Sequence, residues 1–276
     1  MKLSNHIQTF IKGAIIGASM LIPGVSGGTM AIILGIYNRL ISAIASFRKN
    51  MRSNIVLLLV FCLGGGLGIL LFANPLLMLT ERFPMFMNYL FMGAVAGSIP
   101  MILRGSVGPD FRPIKLVYVL LGIAIIVLIS LIPEGSFVLS EASGPITYLL
   151  LFAAGFVAAI ALVLPGISVS YMLLVLGLYT QTMQAIHDLD VVYLLCLGGG
   201  LIVGIFCTTK GLEQLMRRFQ TATNLTILGF VLASVAEIYP GFPTDWTILL
   251  CILGFVIGFG AIYLLSRKQS MSGLDD

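Results

Sequence analysis

Charged side chains are scarce in this sequence of 276 residues. Lys, Arg, Asp and Glu together supply 9% of the residues, whereas a water-soluble domain contains about 25%. The hydrophobic share is 59% and the mean hydropathy is +1.09. These values exclude a soluble globular domain, and they predict an all-α polytopic membrane protein.

Histidine and cysteine, the usual metal ligands, are also scarce, with two and four residues. The cysteines lie inside apolar runs without metal-ligand spacing, which favours a packing role; they are Cys62, Cys196, Cys207 and Cys251. The sequence has no Walker lysine motif, and the Gly64–Gly68 run lacks the strand and helix of a nucleotide fingerprint. We therefore expect no metal, no bound cofactor and no nucleic-acid partner.

Six apolar stretches approach the length of about 20 residues that a membrane-spanning helix needs. They cover residues 54–73, 86–103, 114–132, 191–208, 223–240 and 246–265. Two further blocks, 9–47 and 145–187, each contain two shorter apolar arms around a proline–glycine break. The first arm, Gly13 to Ile22, is too short to cross a hydrocarbon core of about 30 Å. Each block is therefore predicted to be a re-entrant hairpin with its tip at the centre of the protein.

The basic residues are unevenly distributed between the loops. With the N-terminus inside and each hairpin returning to its own side, 14 of the 15 Lys and Arg residues fall on the inner side. Only Arg82 falls on the outer side. This distribution satisfies the positive-inside rule, so both termini are predicted to be cytoplasmic.

The proline–glycine break occurs twice within an internal repeat. The matched segments are Ile22-Pro23-Gly24-Val25-Ser26-Gly27-Gly28-Thr29 and Leu164-Pro165-Gly166-Ile167-Ser168-Val169-Ser170-Tyr171. Further matches follow, among them Tyr37 with Tyr179 and Cys62 with Cys196. Because three spans separate the two copies, residues 1–135 and 136–276 are predicted to be inverted repeats, an architecture that is common in secondary transporters.

The hairpin tips are the first candidate site. A helix that begins in mid-membrane presents unpaired backbone N–H groups and the positive end of its dipole, which favour an anion. Glycine permits close approach to the backbone, and hydroxyl groups donate to oxyanions. The candidate residues are Ser26, Gly27, Gly28, Thr29, Ser168 and Ser170. The alternative interpretation is that they only cap and pack helices.

Arginines near membrane level are the second group of candidates, because a charge within a bilayer is costly and usually functional. Arg39 lies in the returning arm of the first hairpin, and Arg82 and Arg218 occupy matching places on opposite sides. We expect them to guide an anion, with snorkelling to lipid headgroups as the alternative. Neither tip contains Asp, Glu, His or Cys, which argues against a membrane-embedded enzyme.

The two tip segments resemble the polyprenyl phosphate transporter family, and the similarity continues through essentially the whole chain. It includes the sequences Leu34-Gly35-Ile36-Tyr37 and Leu176-Gly177-Leu178-Tyr179 that follow the tips. The resemblance implies a flippase that moves undecaprenyl phosphate from the outer to the inner leaflet of the bacterial plasma membrane. It further implies recycling of this lipid carrier for cell-wall synthesis. We expect the phosphate to be held at the tips. Val169 departs from the pattern, because it stands at the place of Gly27.

Two other functions are compatible with the sequence. An ion-coupled transporter or channel for a small anion would use similar tips, and a lipid phosphate enzyme is a weaker third hypothesis. The residues do not decide between a coupling proton, a sodium ion and uncoupled transport. They do not indicate an oligomeric state either.

Overall fold

The computed structural model describes residues 3–20, 26–106, 112–133, 145–244 and 247–272. These residues form α-helices, one short 3-10 helix and connecting turns, without a β-strand among them. The first half contains α1 (Leu3–Ser19), α2 (Gly27–Ile33), α3 (Tyr37–Ala45), α4 (Met51–Arg82), α5 (Pro84–Ser106), a 3-10 turn (Pro113–Leu116) and α6 (Val117–Ser130). The second half contains α7 (Pro145–Val163), α8 (Val169–Val175), α9 (Tyr179–His187), α10 (Val191–Arg218), α11 (Gln220–Ile238) and α12 (Thr247–Ser272).

The prediction of an all-α, multi-pass membrane protein is confirmed. Five stretches of the described helices are long and apolar enough to cross a membrane: Met51–Phe72, Pro113–Ser130, Ile146–Val163, Val191–Arg218 and Thr247–Leu264. Large apolar side chains on these helices are strongly exposed, as shown by Leu70 at 80% and Leu249 at 73%. Water would penalise such a surface, whereas lipid solvates it.

The hairpin blocks differ from the prediction, because each contains three helices instead of two arms. The described part of the short arm predicted at Gly13 to Ile22 continues from α1, which begins at Leu3, ends at Ser19 and has 17 residues. Its polar first turns continue the helix without extending the apolar run, so hydropathy alone did not reveal them. The counterpart α7 has 19 residues, and Ile146–Val163 is long enough to span a membrane.

The order and lengths of the helices repeat between the two halves. The pair α2 and α8 has seven residues each, and the pair α3 and α9 has nine. Both halves also turn at a left-handed glycine, Gly35 with φ 64° and Gly177 with φ 69°. In each turn two backbone N–H groups reach back to α2 or α8, forming the Schellman motif that ends a helix at glycine. The axis bends by 115° between α2 and α3.

The two halves pack against each other because two helices of each half pair with helices of the other half. Within each half the long first helix packs along the fourth, α1 against α4 and α7 against α10. The last two helices instead pair across the halves, α5 with α12 and α11 with α6, while α5 and α11 contact each other. The hydrophobic core between these helices contains Ile33 of α2 and Leu225 and Val231 of α11, whose side chains are fully buried. The short helix α2 is therefore surrounded by protein.

The inverted orientation of the repeats across the membrane, their re-entrant hairpins and the cytoplasmic placement of both termini stay predictions. The predicted boundary at 135–136 and the first proline–glycine break, Pro23-Gly24, lie outside the described residues. The equivalent break in the second half is described.

Candidate functional site

The second tip is formed where α7 ends. Pro165 and Gly166 follow Val163, and Gly166 adopts φ 82°, a left-handed conformation that glycine accepts without strain. The chain then becomes extended at Ser168, which is the N-cap of α8. The Ser168 side chain accepts a hydrogen bond from the Tyr171 backbone N–H at 3.4 Å. Ser168 thus caps α8, as the packing interpretation of the tips requires.

The first tip has the same backbone geometry but uses its serine differently. Ser26 is the N-cap of α2, with φ −79° and ψ 132°, close to the −85° and 129° of Ser168. Its side chain makes no capping hydrogen bond, although the residue is buried. The Ser26 hydroxyl therefore does not cap the N-terminus of α2.

The two tips touch each other directly. The Gly166 backbone N–H donates a buried hydrogen bond of 3.0 Å to Thr29 Oγ1. Gly28 lies so close to Pro165 that an added Cβ would be 3.1 Å from the Pro165 Cα. The structure therefore brings the predicted tip residues together, and it gives Thr29 the additional role of joining the tips.

A second contact holds the first hairpin to the end of α7. The buried Tyr37 hydroxyl donates to the Val163 carbonyl oxygen at 2.8 Å. This carbonyl is in the last turn of α7, where no helical N–H is available to it. Tyr37 is not among the predicted site residues, although the match of Tyr37 with Tyr179 in the repeat was a usable signal.

A small cavity of about 50 Å³ lies between the tips. Its polar lining comes from Ser26 and Gly27 of the first tip and from Ser168 and Ser170 of the second. One water needs about 10–15 Å³ of such space, so the cavity has room for more than one water-sized group. The other lining residues are Met20, Ala161, Leu162, Ile167 and Val169. None of the described lining residues has an ionisable side chain, so hydroxyl groups and backbone N–H groups supply the polarity of their part of the wall.

Gly27 and Val169 occupy equivalent places in the repeat, and both line this cavity. An added Cβ at Gly27 would come within 2.9 Å of the Met20 sulfur, so glycine leaves room there. Val169 carries a branched side chain at the matching position. The first tip therefore places a glycine beside the Met20 side chain, where the second tip has a branched side chain.

The three predicted arginines are not at this cavity. Arg39 lies on α3, where its Nη1 donates to Thr9 Oγ1 of α1 at 3.5 Å. Arg82 and Arg218 end α4 and α10, and both are exposed. Their guanidinium groups lie over the neighbouring rings of Phe83 and Phe219, at 5.9 Å and 5.4 Å from the centroids. The matching places of Arg82 and Arg218 thus have matching local structure.

Ionisable groups that could perform hydrolysis are not assembled in the described part of the chain. It contains no group of three or more His, Cys, Asp or Glu residues that could hold a metal ion. The pair of His187 Nδ1 and Asp188 Oδ1, at 2.8 Å, is exposed at the end of α9. The arrangement at the tips can accommodate and hydrogen-bond an anion, but it offers no nucleophile activated by a base.

Comparison with known proteins also indicates a transporter rather than an enzyme. A family model described as undecaprenyl phosphate translocase-like matches residues 16–250, which is most of the chain. The chain belongs to this family. Members of the translocase-like family are transporters, and the chain is accordingly a membrane transporter rather than an enzyme.

Two relatives of this translocase-like chain are both named polyprenyl-phosphate transporter. The protein of Staphylococcus aureus (strain NCTC 8325 / PS 47) is 32% identical over 270 residues, covering 93% of this chain and 95% of its own length. The protein of Vibrio cholerae serotype O1 is 28% identical over 253 residues, covering 87% of this chain and 79% of its own length. The comparison with solved structures finds no significant match.

Proposed function

We propose that the chain transports polyprenyl phosphate, and specifically that it moves undecaprenyl phosphate from the outer to the inner leaflet of the bacterial plasma membrane. The observation that carries the proposal is the hydroxyl-lined cavity between two hairpin tips that are joined by a buried hydrogen bond. Membership of the translocase-like family and the names of both relatives support the choice of substrate. The transported lipid would be a recycled carrier of cell-wall synthesis.

The phosphate would be held at the tips while the polyprenyl tail stays in the lipid. Ser26, Ser168 and Ser170 would donate hydroxyl hydrogen bonds, and the N–H groups around Gly27 and Gly28 would add backbone donors. Thr29 would keep the two tips together through Gly166. These donors would offset part of the desolvation cost of the phosphate. Because the described lining residues include no cation, they would not hold the anion too tightly for release.

The arginines would act before and after this step. Arg82 and Arg218, at the ends of α4 and α10, would receive the phosphate at opposite membrane surfaces, and Arg39 would meet it on the cytoplasmic side. Both termini would be cytoplasmic. Alternating access would arise from movement of one repeat against the other. The proposal needs no bound cofactor.

The test uses purified protein in vesicles that contain undecaprenyl phosphate, with a phosphatase added outside to measure the lipid that becomes accessible. We expect Ser26→Ala and Ser168→Ala each to reduce translocation by about tenfold or more, since a hydrogen bond to a charged group contributes about 1.5–3 kcal/mol. The control is Ser98→Ala, because Ser98 is buried like Ser26 and, among the described residues, its hydroxyl bonds to the Val95 carbonyl oxygen of its own helix α5. Equal rates for all three variants would refute the tip site.

Two additions to this assay address the rival transport hypothesis and the driving force. An excess of inorganic phosphate or sulfate should not abolish lipid translocation; if it does, the chain is a small-anion transporter. Imposed proton and sodium gradients then identify the coupling ion, because only the coupled gradient should change the final distribution of the lipid between leaflets.

A further inference from the structure

An apolar groove of about 450 Å³ lies between α6, α10 and α11. Its volume is in the range of about 300–1,000 Å³ that is typical of ligand pockets. The floor contains Leu212, Ile227 and Phe230, whose side chains are buried. On the rim, Leu121 and Leu215 are each 50% exposed. Because α6 and α10 are apolar enough to span a membrane, this exposed rim faces lipid, and a hydrocarbon chain can enter the groove from the side.

The groove connects the second tip with the turn between α10 and α11. At the tip end, Leu164 lines it, and a Cβ added at Gly166 would overlap the carbonyl oxygen of Phe230 in its floor. At the other end, Phe219 of the turn lines it. The part of α11 from Ala222 to Phe230 runs along the groove, which is about 12 Å of helix. The groove is therefore nearly as long as one leaflet of the hydrocarbon core, about 15 Å.

The turn end of the groove carries a positive charge. Arg218 is exposed there, and its guanidinium group lies over the Phe219 ring at 5.4 Å from the centroid. None of the described lining residues of the groove is itself charged. An apolar groove with a cation at one end is complementary to an amphiphile that has a hydrocarbon chain and an anionic head. Arg218 falls on the predicted cytoplasmic side, so the head would lie at the inner membrane surface.

The first half fills the place that the second half leaves open. In the register that matches the arginines at the ends of α4 and α10, Phe86 of α5 stands at the place of Ala222. Met87 stands at the place of Thr223. Met87 is buried, and Phe86 packs against the same hydrophobic cluster. Close packing favours filled places in both halves, because an open space loses van der Waals contacts. The small residues Ala222 and Thr223 therefore indicate that another molecule occupies the groove.

A close helix crossing fixes the width of the groove. A Cβ added at Gly122 of α6 would overlap the Thr226 carbonyl oxygen of α11, and one added at Gly229 would overlap the Val119 carbonyl oxygen. Tyr118, one turn before Gly122, lines the groove. The wall formed by α6 is thus held against α11. A groove of fixed width can distinguish chains by their thickness.

We propose that this groove binds the phosphate-proximal part of a prenyl chain, with the phosphate of the same lipid at Arg218; the choice of a polyprenyl phosphate rests on the proposed function. The rest of the chain stays in the lipid. Surrounding lipid is as apolar as the groove, so selection comes from van der Waals fit. A prenyl chain is methyl-branched and thicker than a saturated straight chain, and Ala222 and Thr223 leave room for its methyl groups. The groove determines chain specificity at the inner surface, whereas the tips hold the phosphate in mid-membrane.

The test is photolabelling of the full-length protein in phosphatidylcholine nanodiscs. The probe is a farnesyl phosphate with a photoreactive diazirine on its chain, and mass spectrometry locates the labelled residues. We expect labels between Leu212 and Phe230, whereas Leu70 of α4, which is exposed outside the groove, reports random contact with the probe. Unlabelled farnesyl phosphate, dodecyl phosphate, farnesol and inorganic phosphate compete with the probe. Farnesyl phosphate should displace it at a concentration about tenfold lower than any of the others.

Two variants test the width of the groove by introducing the residues of the first half. Ala222→Phe should raise the farnesyl phosphate concentration for half displacement by about tenfold, because the new ring fills the groove. Thr223→Met should act in the same direction and serves as the second variant if Ala222→Phe does not fold. Ala236→Phe is the matched control, since Ala236 is exposed on the same helix and does not line the groove. The melting temperature of each variant verifies folding.

A further pair of variants tests the charge at the end of the groove. Arg218→Gln should weaken displacement by farnesyl phosphate about tenfold and leave displacement by farnesol unchanged, because farnesol has the chain without the phosphate. Arg217→Gln is the control, since Arg217 donates to Glu213 Oε1 at 3.0 Å and does not line the groove. It should leave displacement by both compounds unchanged.

Each outcome decides the proposal. Preferential displacement by farnesyl phosphate, weakened by Ala222→Phe or Thr223→Met, supports it. Equal displacement by dodecyl phosphate overturns it, because any anionic lipid chain then fills the groove. Equal labelling of Leu70 and of the groove, or unchanged displacement in both folded width variants, also overturns it. Normal lipid translocation with an unlabelled groove refutes this groove alone. A specifically labelled groove without any lipid translocation refutes the proposed function alone.

Discussion

The two hairpin tips are built on one sequence pattern, but their matching hydroxyl positions contact different parts of the molecule. Thr29 of the first tip accepts from Gly166 of the second and joins the tips. Its counterpart Tyr171 points elsewhere, and its hydroxyl donates to the Ile132 carbonyl oxygen just beyond α6, at 2.7 Å. The first tip is thus fixed to its partner, and the second is also fixed to a neighbouring helix end. Sequence equivalence does not give the tips equivalent roles.

The glycine triplets of the two halves also match in sequence but differ in their contacts. Gly64-Gly65-Gly66 matches Gly198-Gly199-Gly200. In the first half, a Cβ added at Gly64 would overlap the Phe10 backbone of α1. A Cβ added at Gly66 would meet no described atom within 4 Å. In the second half, a Cβ added at Gly200 would overlap the Phe152 backbone of α7. A Cβ added at Gly198 would meet no described atom within 4 Å. The triplets are therefore displaced by two residues relative to the places where α4 crosses α1 and α10 crosses α7.

The largest expected effect comes from substituting these glycines by leucine. Gly64→Leu and Gly200→Leu should prevent accumulation of folded protein or lower its stability by about 3 kcal/mol, because the new side chain overlaps a backbone carbonyl of the neighbouring helix. The repeat-matched partners, Gly198→Leu and Gly66→Leu, should be tolerated. Thermal unfolding in detergent measures all four. If the matched members of the triplets respond alike, the displacement of the triplets is wrong.

An intermediate effect is expected where the tips are joined. Thr29→Val keeps the shape but leaves the buried Gly166 N–H unpaired, which costs about 1–3 kcal/mol. Thr29→Ser retains the acceptor and should be close to wild type. Tyr171→Phe should cost less, because the carbonyls at the end of α6 are partly accessible to water. The melting temperature and the translocation rate measure this order, and equal losses for Thr29→Val and Tyr171→Phe would contradict it.

The smallest effect concerns the repeated tyrosines. Tyr37→Phe removes the buried hydrogen bond to the Val163 carbonyl and should lower stability by about 1 kcal/mol. Tyr179→Phe is the repeat-matched control, since its hydroxyl has no hydrogen bond within the described residues. Its effect should be within a few tenths of a kcal/mol. A larger loss at Tyr179 than at Tyr37 would reverse the assignment.

Much of this fold could be predicted because the thickness of the lipid bilayer sets the length of a membrane-spanning helix. Apolar runs such as 54–73 and 191–208 are found within α4 and α10, and the breaks at Gly35 and Gly177 have the glycine that a left-handed turn requires. The meeting of the two tips also followed from irregular backbone needing protein around it. These features depend on composition and on local conformation.

The remaining features depend on which helix faces meet. Helices such as α6 and α12 are apolar on all sides, so their sequences do not indicate that they pair across the halves. The role of Thr29 depends on a backbone N–H from a segment 137 residues away. Arg39 lines a cavity of about 360 Å³ together with residues of α4 and α10, and only the folded chain brings them together.

The exchanged pairing of α5 with α12 and α11 with α6 has a consequence for the origin of the chain. A single six-helix repeat would leave the partner faces of its last two helices uncovered, so it would be stable only as a pair of copies. Joining two copies in one polypeptide makes that association intramolecular, with a high effective concentration that no longer depends on expression level. It also frees the copies to diverge, which a homodimer encoded by one gene cannot do.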